Sequence, residues 1–394
     1  MNIGKKAIDK PKAKNMLEFF TLKTKAFGLD ISDLSLKIVQ LKKKGNFFAL
    51  SSFGEFSIEP GIIKEGEIRE PEALLKIIKK ALKEVKGKNL QTKYVLSSLP
   101  EEKAFLEVIQ MPKMKEEELK KAISFEVENY IPLSIKEVYF DFQVIPPVFE
   151  QLDRLDVLIA ALPKKIVDVY VSVFKKAGLK PKALEVESQA ICRALIKKEL
   201  SSFPLLIIDL GATKTGFIIF SGHSLRYTTS IPVSSQTFTE AISKTLKINL
   251  KKAEELKIQY GLLPKTGVQL KGKGGNFQKE ITQEKKIFEA LIPSLTDLTE
   301  QIKKHLDFYL THNGQEPPSL KKRNPEKVLL CGGGANLRGL PECLTELLQI
   351  PVELGNPWVN ILPQPKIEIP QMEYQQSLKY ATALGLALRG TQDD

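Results

Sequence analysis

Two aspartates occupy matching places in two near-duplicate segments that lie about 180 residues apart. Asp30 lies in residues 27–41 (FGLDISDLSLKIVQL) and Asp209 in residues 206–220 (LIIDLGATKTGFIIF). Each aspartate follows an apolar strand and precedes small or hydroxyl residues and then a second apolar strand. The pattern predicts a β-hairpin whose tight turn offers backbone N–H groups to a phosphate, with the carboxylate placed to hold a hydrated Mg²⁺.

A third segment, residues 328–341 (VLLCGGGANLRGLP), has a glycine triplet after a buried-type strand. Gly332, Gly333 and Gly334 lack a Cβ, so a flat ring can approach the backbone closely there. Taken alone, the triplet also fits a helix cap, and an aspartate at a strand end also fits a turn or an N-cap. The three segments in this order predict a nucleotide-binding site.

Composition favours a folded protein of two or more lobes. The chain has 394 residues, which is long for a single core, and it is 42% hydrophobic and 27% charged. Its longest apolar stretches, near residues 157–162 and 205–208, fall far short of the ~18–20 residues that a membrane span needs. The N-terminus has no signal-peptide pattern. We therefore expect a cytoplasmic protein.

The net charge of +12 raises the question of an anionic partner. Most lysines alternate with glutamates on predicted amphipathic helices, where they form solvated faces, and only the tail 5–25 is basic without compensation, so that it could lie near lipid head groups. No nucleic-acid motif occurs. The three cysteines and three histidines have no zinc or disulfide spacing, so the cysteines are expected to be buried small hydrophobes.

The elements that must position these residues fall into two lobes. The first lobe has predicted strands at 26–30, 35–42, 47–58 and 94–99 and a helix at 71–86. Residues 104–180 read as a compact β-α-β-β-α insertion. Residues 181–200 are predicted to be a helix that leads into the second lobe. That lobe is predicted to contain a strand region (205–233), a helical run (237–260), loops (265–276 and 314–325) and a long helix (284–313). Residues 374–389 form a small-residue helix suited to close packing.

Segments of this kind in this order resemble the actin-like ATPase superfamily, over residues ~26–390. The resemblance implies an α/β, two-lobed actin-like ATPase fold with ribonuclease H-like lobes and an inserted small α+β subdomain of 1C type. The implied divisions are a basic, flexible tail (1–25), subdomain 1A (26–103, with its connect-1 helix at 181–202 and its connect-2 helix at 372–394), the inserted subdomain 1C (104–180), subdomain 2A (203–235 and 325–371) and subdomain 2B (236–324).

The same resemblance implies ATP and Mg²⁺ as cofactors. Asp30 and Asp209 would hold Mg²⁺ through water, Lys37 would reach the terminal phosphates, and Gln189 would orient the attacking water. The full set implied to bind the cofactor is Asp30, Ser32, Lys37, Asp209, Gly211, Thr213, Thr215, Glu254, Lys257, Gly332, Gly333 and Gly334. Within it, Glu254 and Lys257 face the nucleoside.

Two residues depart from the superfamily pattern. Asp33 would bring a negative charge near the phosphates, which opposes anion binding unless its carboxylate points away. Lys214 stands where hydrolases commonly have a second glycine, and it could help to bind phosphate. We expect ATP binding with at most slow hydrolysis.

One family within the superfamily is more specific. Residues 122–145 (AISFEVENYIPLSIKEVYFDFQVI), the IDLGATKT turn and residues 355–358 (GNPW) resemble the PilM family of type IV pilus assembly proteins. The resemblance implies a scaffold at the inner face of the plasma membrane that docks the N-terminal cytoplasmic tail of PilN, with the pilus assembly ATPase as a further partner. The tail would lie as an extended peptide between the insertion and the first lobe.

Three alternatives stay open: a sugar or carboxylate kinase of the superfamily, a nucleotide-degenerate secretion adaptor resembling GspL, and a cell-division role resembling FtsA. Residue by residue, Trp358 and the aromatic set Phe125, Tyr130, Phe140 and Phe142 are more typical of a core than of an interface.

Overall fold

The computed structural model describes residues 25–146, 154–262, 275–312, 324–363 and 371–391. The predicted tail over residues 1–25 and the predicted loops over 265–276 and 314–325 lie mainly outside these ranges.

The strands are β1 (Phe27–Ile31), β2 (Ser35–Lys44), β3 (Phe47–Ser57), β4 (Ile63–Lys64), β5 (Glu67–Ile68), β6 (Lys86–Gly87), β7 (Tyr94–Leu99), β8 (Phe105–Pro112), β9 (Val138–Ile145), β10 (Arg154–Pro163), β11 (Lys180–Val186), β12 (Ser201–Leu210), β13 (Thr215–Gly222), β14 (Ser224–Ile231), β15 (Lys327–Cys331) and β16 (Val352–Leu354). The α-helices are α1 (Pro71–Ala81), α2 (Glu116–Tyr130), α3 (Lys164–Lys176), α4 (Glu187–Leu195), α5 (Ser235–Leu246), α6 (Leu250–Tyr260), α7 (Gly275–His312), α8 (Leu340–Leu348), α9 (Tyr374–Leu378) and α10 (Ala381–Arg389).

The two aspartate hairpins belong to two separate sheets, one in each lobe. In the first lobe the strand order is β11-β7-β1-β2-β3-β6, and in the second it is β14-β13-β12-β15-β16. Asp30 pairs with Lys37 in the first hairpin, and Asp209 pairs with Gly216 in the second. In each lobe the aspartate strand also has a parallel neighbour, β7 or β15. The duplication predicted from the sequence is therefore present at the level of strand pairing.

Helices α4 and α10 pack against each other between the two sheets. A Cβ placed on Gly385 of α10 would lie 1.8 Å from the Ala190 carbonyl oxygen of α4, and one on Gly28 would lie 2.4 Å from the Ala383 carbonyl oxygen. Such separations exclude any side chain at these two glycines. The close packing predicted for the small-residue helix is confirmed, and it fixes α4, α10 and β1 to one another.

The insertion forms a three-stranded sheet, β8-β10-β9, with α2 packed on it. Helix α3 does not belong to this module, although the insertion was predicted to extend to residue 180. Its apolar side, which includes Val167, Tyr170 and Phe174, lies in the first-lobe core with Leu74 and Ile78 of α1. The compact module therefore ends near the end of β10.

Two helix predictions are wrong in detail. Residues 180–186 form strand β11, parallel to β7, because this long-range pairing overrides local helical spacing, and α4 begins only at Glu187. The predicted helical run 237–260 is two helices. Lys247 has a φ of 54°, and the Asn249 side chain accepts a hydrogen bond from the Lys252 N–H (2.8 Å), which starts α6.

The aromatic residues expected to lie in a core are partly buried and partly exposed. Trp358 is fully buried, as expected of a core residue, and Phe140 and Phe142 pack partly buried against the insertion core. Phe125 is 79% exposed on α2, and Tyr130 at the end of that helix is also exposed. Cys192 and Cys331 are buried and unpaired by disulfides, as predicted. Among the described residues, no helix is long and apolar enough to cross a bilayer.

Candidate functional site: a cleft and a neighbouring groove

The first hairpin turn holds a buried carboxylate and a buried lysine. Asp30 ends β1, accepts a hydrogen bond from the Ser98 hydroxyl (3.0 Å) and lies 3.5 Å from the Lys37 ammonium. Lys37 also donates to the Ser35 hydroxyl (2.7 Å), and the Ser32 hydroxyl donates to the Ser35 carbonyl (3.1 Å). The turn therefore presents one anion and one cation with hydroxyl groups around them.

Asp33 does not point into this turn. Its carboxylate accepts hydrogen bonds from the backbone N–H groups of Glu65 and Gly66, both at 3.0 Å, in the connection between β4 and β5. The negative charge that seemed to oppose phosphate binding is thus bound by backbone donors on the far side of the turn.

The second turn places its aspartate against a glycine. Asp209 ends β12, and a Cβ placed on Gly332 would lie 2.4 Å from its Oδ1 atom. Gly332 also has a φ of 83°, so only glycine fits there without strain. Burial, and then the charge of Asp30, raise the pKa of Asp209. Two buried carboxylates near each other, with Lys37 as a nearby cation, form an environment that a divalent cation would stabilise.

The oxygen-rich donor set fits Mg²⁺ bound largely through water and phosphate oxygens, since Mg²⁺ prefers oxygen ligands and gives up its waters reluctantly. Among the residues that the structure describes, no group of three or more acidic, histidine or cysteine side chains could hold a metal ion directly. Asp30 and Asp209 would therefore contact a metal that a nucleotide brings with it.

Most of the predicted binding residues meet in one cleft between the lobes, with a volume of 140 Å³. Those that line it are Asp30, Ser32, Lys37, Asp209, Gly211, Thr213, Gly332 and Gly333. Thr215 and Gly334 lie beneath the surface: the Thr215 hydroxyl donates to the Val233 carbonyl (2.6 Å), and Gly334 packs against Leu210. The prediction missed several lining residues, among them Glu55, Glu187, Lys379 and Thr382.

Three further predicted residues are not in the cleft lining. Gln189 lies half-buried on α4, and the residue of α4 that reaches the cleft is Glu187 at its start. Glu254 and Lys257 lie on α6, where Lys257 is 2.8 Å from Glu254 and donates to the Thr239 hydroxyl of α5 (2.8 Å). Burial lowers the pKa of Lys257.

Lys214 joins the two lobes across this cleft. It follows the second turn, and its ammonium forms ion pairs with Glu102 and with Glu187 (2.9 Å), both in the first lobe. The three side chains are between 12% and 25% exposed. Burial, opposed by Lys214 and reinforced by Glu102, raises the pKa of Glu187 to about 8. Two carboxylates thus share one lysine, and the phosphate contact suggested for Lys214 is occupied by these glutamates.

A larger cavity of 430 Å³ lies beside the cleft. Its lining comes from the turn after β7, from the insertion and from strand β14 of the second lobe: Glu101, Glu102, Ala104, Phe105, Leu106, Glu107, Tyr130, Ile131, Ile159, Thr228, Thr229 and Ser230. The sequence predicted a groove between the insertion and the first lobe. The structure adds a third wall, β14, and both β8 and β14 are edge strands of their sheets.

The cleft and this groove have a wall in common. Glu102 lines the groove and is paired with Lys214, which lines the cleft. The neighbouring Glu101 accepts hydrogen bonds from the Ser188 N–H and hydroxyl (both 3.0 Å) at the start of α4. The two cavities are therefore separated by a single turn of chain, residues 101 and 102.

Two lobes with duplicated aspartate hairpins, bridged by packed helices and enclosing a cleft, define the class of actin-like two-lobed proteins. The chain matches the family described as type IV pilus assembly protein PilM over residues 28–391, and it belongs to that family. The family and the α/β, two-lobed fold predicted from the sequence are confirmed.

Known structures agree with this assignment. The PilM–PilN type IV pilus biogenesis complex matches with a TM-score of 0.74 and 30% identity, over 94% of this chain and 100% of that one. The ethanolamine utilization protein EutJ of Carboxydothermus hydrogenoformans (14% identity, TM-score 0.52, 92% of this chain and 89% of that one) and MreB5 of Spiroplasma citri bound to ADP (16%, 0.51, 93% and 95%) share the fold.

Among curated relatives, the cell division protein FtsA of Streptococcus pneumoniae is 24% identical over 358 residues, which is 84% of this chain and 75% of the relative. FtsA of Pseudomonas aeruginosa is 23% identical over 184 residues, so the match spans 47% of this chain and 43% of that relative.

Proposed function

We propose that this chain is an ATP-binding cytoplasmic scaffold of the type IV pilus inner-membrane assembly complex, held at the inner face of the plasma membrane by docking the N-terminal cytoplasmic tail of PilN. The observation that carries the proposal is the 430 Å³ groove between the insertion and β14. The solved complex of a 30% identical PilM with PilN supports PilN as the partner.

The groove suits an extended peptide. Strand β8 on one side and strand β14 on the other each have a free sheet edge in the described part of the chain, so a peptide could add main-chain hydrogen bonds there. Phe105, Ile131 and Ile159 offer apolar contacts. The charged lining consists of glutamates, Glu101, Glu102 and Glu107, so a peptide with a basic residue is favoured over an acidic one.

Peptide binding can be tested with a fluorescently labelled PilN N-terminal peptide and two matched variants. Tyr130→Ala removes a groove-lining ring, whereas Phe125→Ala removes an exposed ring from the same helix outside the groove lining. We expect Tyr130→Ala to weaken binding about tenfold or more, as is typical of a buried aromatic anchor, and Phe125→Ala to leave it unchanged. Equal affinities for both variants would move the peptide to another surface.

ATP and Mg²⁺ are proposed for the cleft. Its volume of 140 Å³ is smaller than the ~300–1,000 Å³ typical of small-molecule sites, so it accommodates phosphates and metal before a whole nucleotide. Binding would need the lobes to separate, and the Lys214 ion pairs oppose that movement. Hydrolysis would be slow, because Gln189 is not in the cleft lining.

Calorimetric titration of Mg-ATP into the wild type and into Asp209→Ala tests this part. Saturable binding by the wild type, lost in the variant, would support a working cleft. A wild type that binds the PilN peptide but no nucleotide would instead favour the adaptor with a degenerate nucleotide site, because Lys214 then serves only to join the lobes.

The ion pair between Glu102 of the groove and Lys214 of the cleft predicts that nucleotide binding and peptide binding affect each other. Lys214 must leave Glu102 to reach a phosphate, and Glu102 would then be free to meet a basic group in the groove. Mg-ATP should therefore change peptide affinity severalfold in the wild type and not in Glu102→Gln. Equal peptide affinity with and without Mg-ATP in the wild type would contradict the coupling and leave docking itself intact.

A further inference from the structure

The two ends of the first-lobe sheet differ sharply in chemistry. The end where β1 stops at Ile31 and β7 stops at Leu99 borders the cleft and the groove. The opposite end is formed by three segments, residues 42–47, 86–93 and 180–182 (KKKGNF, KGKNLQTK and KPK), which include the adjoining residues of β2, β3, β6 and β11. These segments contain eight exposed lysines and no acidic residue: Lys42, Lys43, Lys44, Lys86, Lys88, Lys93, Lys180 and Lys182. This set is called the lysine end below.

Backbone hydrogen bonds hold the three segments beside one another in the sheet. The Lys180 N–H donates to the Lys93 carbonyl (2.8 Å), and the Lys88 N–H donates to the Ser51 carbonyl of β3 (3.0 Å). The sheet has six strands, so this end of it is about 24 Å wide at the usual strand spacing. The three segments therefore lie along one end of the sheet, although they come from distant parts of the sequence.

Ion pairing within the described chain leaves part of this surface uncompensated. No ion pair with a carboxylate involves Lys42, Lys43, Lys88 or Lys93 within the described ranges. Half-buried rings support two of the other ammonium groups: Lys44 lies 6.0 Å from the Phe47 ring centre and Lys180 lies 5.7 Å from that of Tyr94. Aromatic rings beside lysines are favourable at a lipid–water interface.

We infer that the lysine end is a docking surface for the anionic phospholipid head groups of a bilayer. The surface is broad, its charges are flexible lysines rather than geometrically fixed arginines, and mobile lipid phosphates can adjust to them without a defined register. The inference is independent of the PilN groove, which lies at the other end of the same sheet.

Vesicle flotation of the full chain tests the inference, with phosphatidylcholine vesicles that contain or lack phosphatidylglycerol. The test variant is Lys42→Glu/Lys43→Glu/Lys44→Glu. The control, Lys251→Glu/Lys303→Glu/Lys304→Glu, makes the same charge change at exposed second-lobe lysines. We expect binding only to the anionic vesicles, weakened by added salt, about tenfold or more weaker in the test variant and within about threefold in the control.

Binding of the PilN peptide reports on folding, because the test variant changes nothing in the groove. A test variant that still binds the peptide yet loses vesicles would support the lysine end. Equal losses in both variants would overturn the inference, since net charge alone would then explain binding. The inference is also overturned if the wild type does not float with the anionic vesicles, or if it binds duplex DNA as tightly as those vesicles.

Discussion

The two aspartate hairpins have the same strand pairing but differ in what their turns hold. In the first, Asp33 is bound by the backbone of residues 65 and 66, so this turn is fastened within its own lobe. In the second, Lys214 crosses the cleft to Glu102 and Glu187 of the other lobe. The first turn is thus tied to its own lobe, whereas the second turn links the two lobes through ion pairs.

The largest loss of stability is expected from Lys214→Met. It leaves Glu102 and Glu187 facing each other without a cation, and removal of one partner from a buried ion cluster costs up to ~3–5 kcal/mol. Partial exposure and proton uptake by Glu187 reduce this to about 2–3 kcal/mol of unfolding free energy, measured by urea denaturation at neutral pH. The control is Lys379→Met, which breaks a more exposed pair with Glu55 and should cost at most about 1 kcal/mol. Equal losses would mean that Lys214 has no special role.

The second test is the pH dependence that this cluster imposes. The pKa of Glu187 is about 8 in the folded protein, above its usual value of 4.5, so folding favours its protonated form. Stability from this group is complete below about pH 4.5 and is lost as the pH rises through about 8. The unfolding free energy of the wild type, relative to Glu187→Gln, should therefore fall by about 1–3 kcal/mol between pH 5 and pH 8.5. Parallel profiles for the two proteins would refute the raised pKa.

A third test asks whether Lys214 and Glu187 act as a unit. The double variant Lys214→Met/Glu187→Gln removes the cation and one carboxylate together, so it should be less destabilised than the sum of the single changes. We expect an interaction free energy of about 1–2 kcal/mol from a double-mutant cycle in urea. An additive result would indicate that Lys214 is held by Glu102 alone.

The smallest effect is expected at the first turn. Asp33→Asn keeps one acceptor oxygen for the two backbone donors at residues 65 and 66, so one hydrogen bond is lost and the change should cost about 1 kcal/mol in thermal or urea unfolding. Since the carboxylate points away from the cleft, Mg-ATP affinity should change by less than about threefold. A large gain in affinity would show that Asp33 does repel phosphate and that the first turn moves.

Local pattern was enough to predict the hairpins, because the apolar strands, the aspartates and the glycines each have a signature within a few residues. The partners of Lys214 could not be found this way, since Glu102 is 112 residues away in sequence. The same limit explains β11, whose strand character comes from pairing with β7.

One of the incorrect helix predictions could have been avoided from a local signal. Asn249 is a typical N-cap residue and marked the start of α6 within the predicted single helix. Gln189 was predicted to orient the attacking water, but Glu187 is the residue of α4 that lines the cleft. Two positions further along a helix, a side chain points to a different face.

The packing of α10 has a consequence for how the protein is made. Helix α10 fills the space between β1, near the start of the chain, and α4, in its middle, and the glycines at 28 and 385 allow no other spacing. The first lobe therefore stays incomplete on the ribosome until α10 has been synthesised, although N-terminal domains usually fold first during synthesis. Most of the second lobe, encoded between these parts, can assemble earlier. The first-translated lobe is thus the last to be completed, and a nascent chain cut short before residue 381 would leave β1 and α4 without their shared partner.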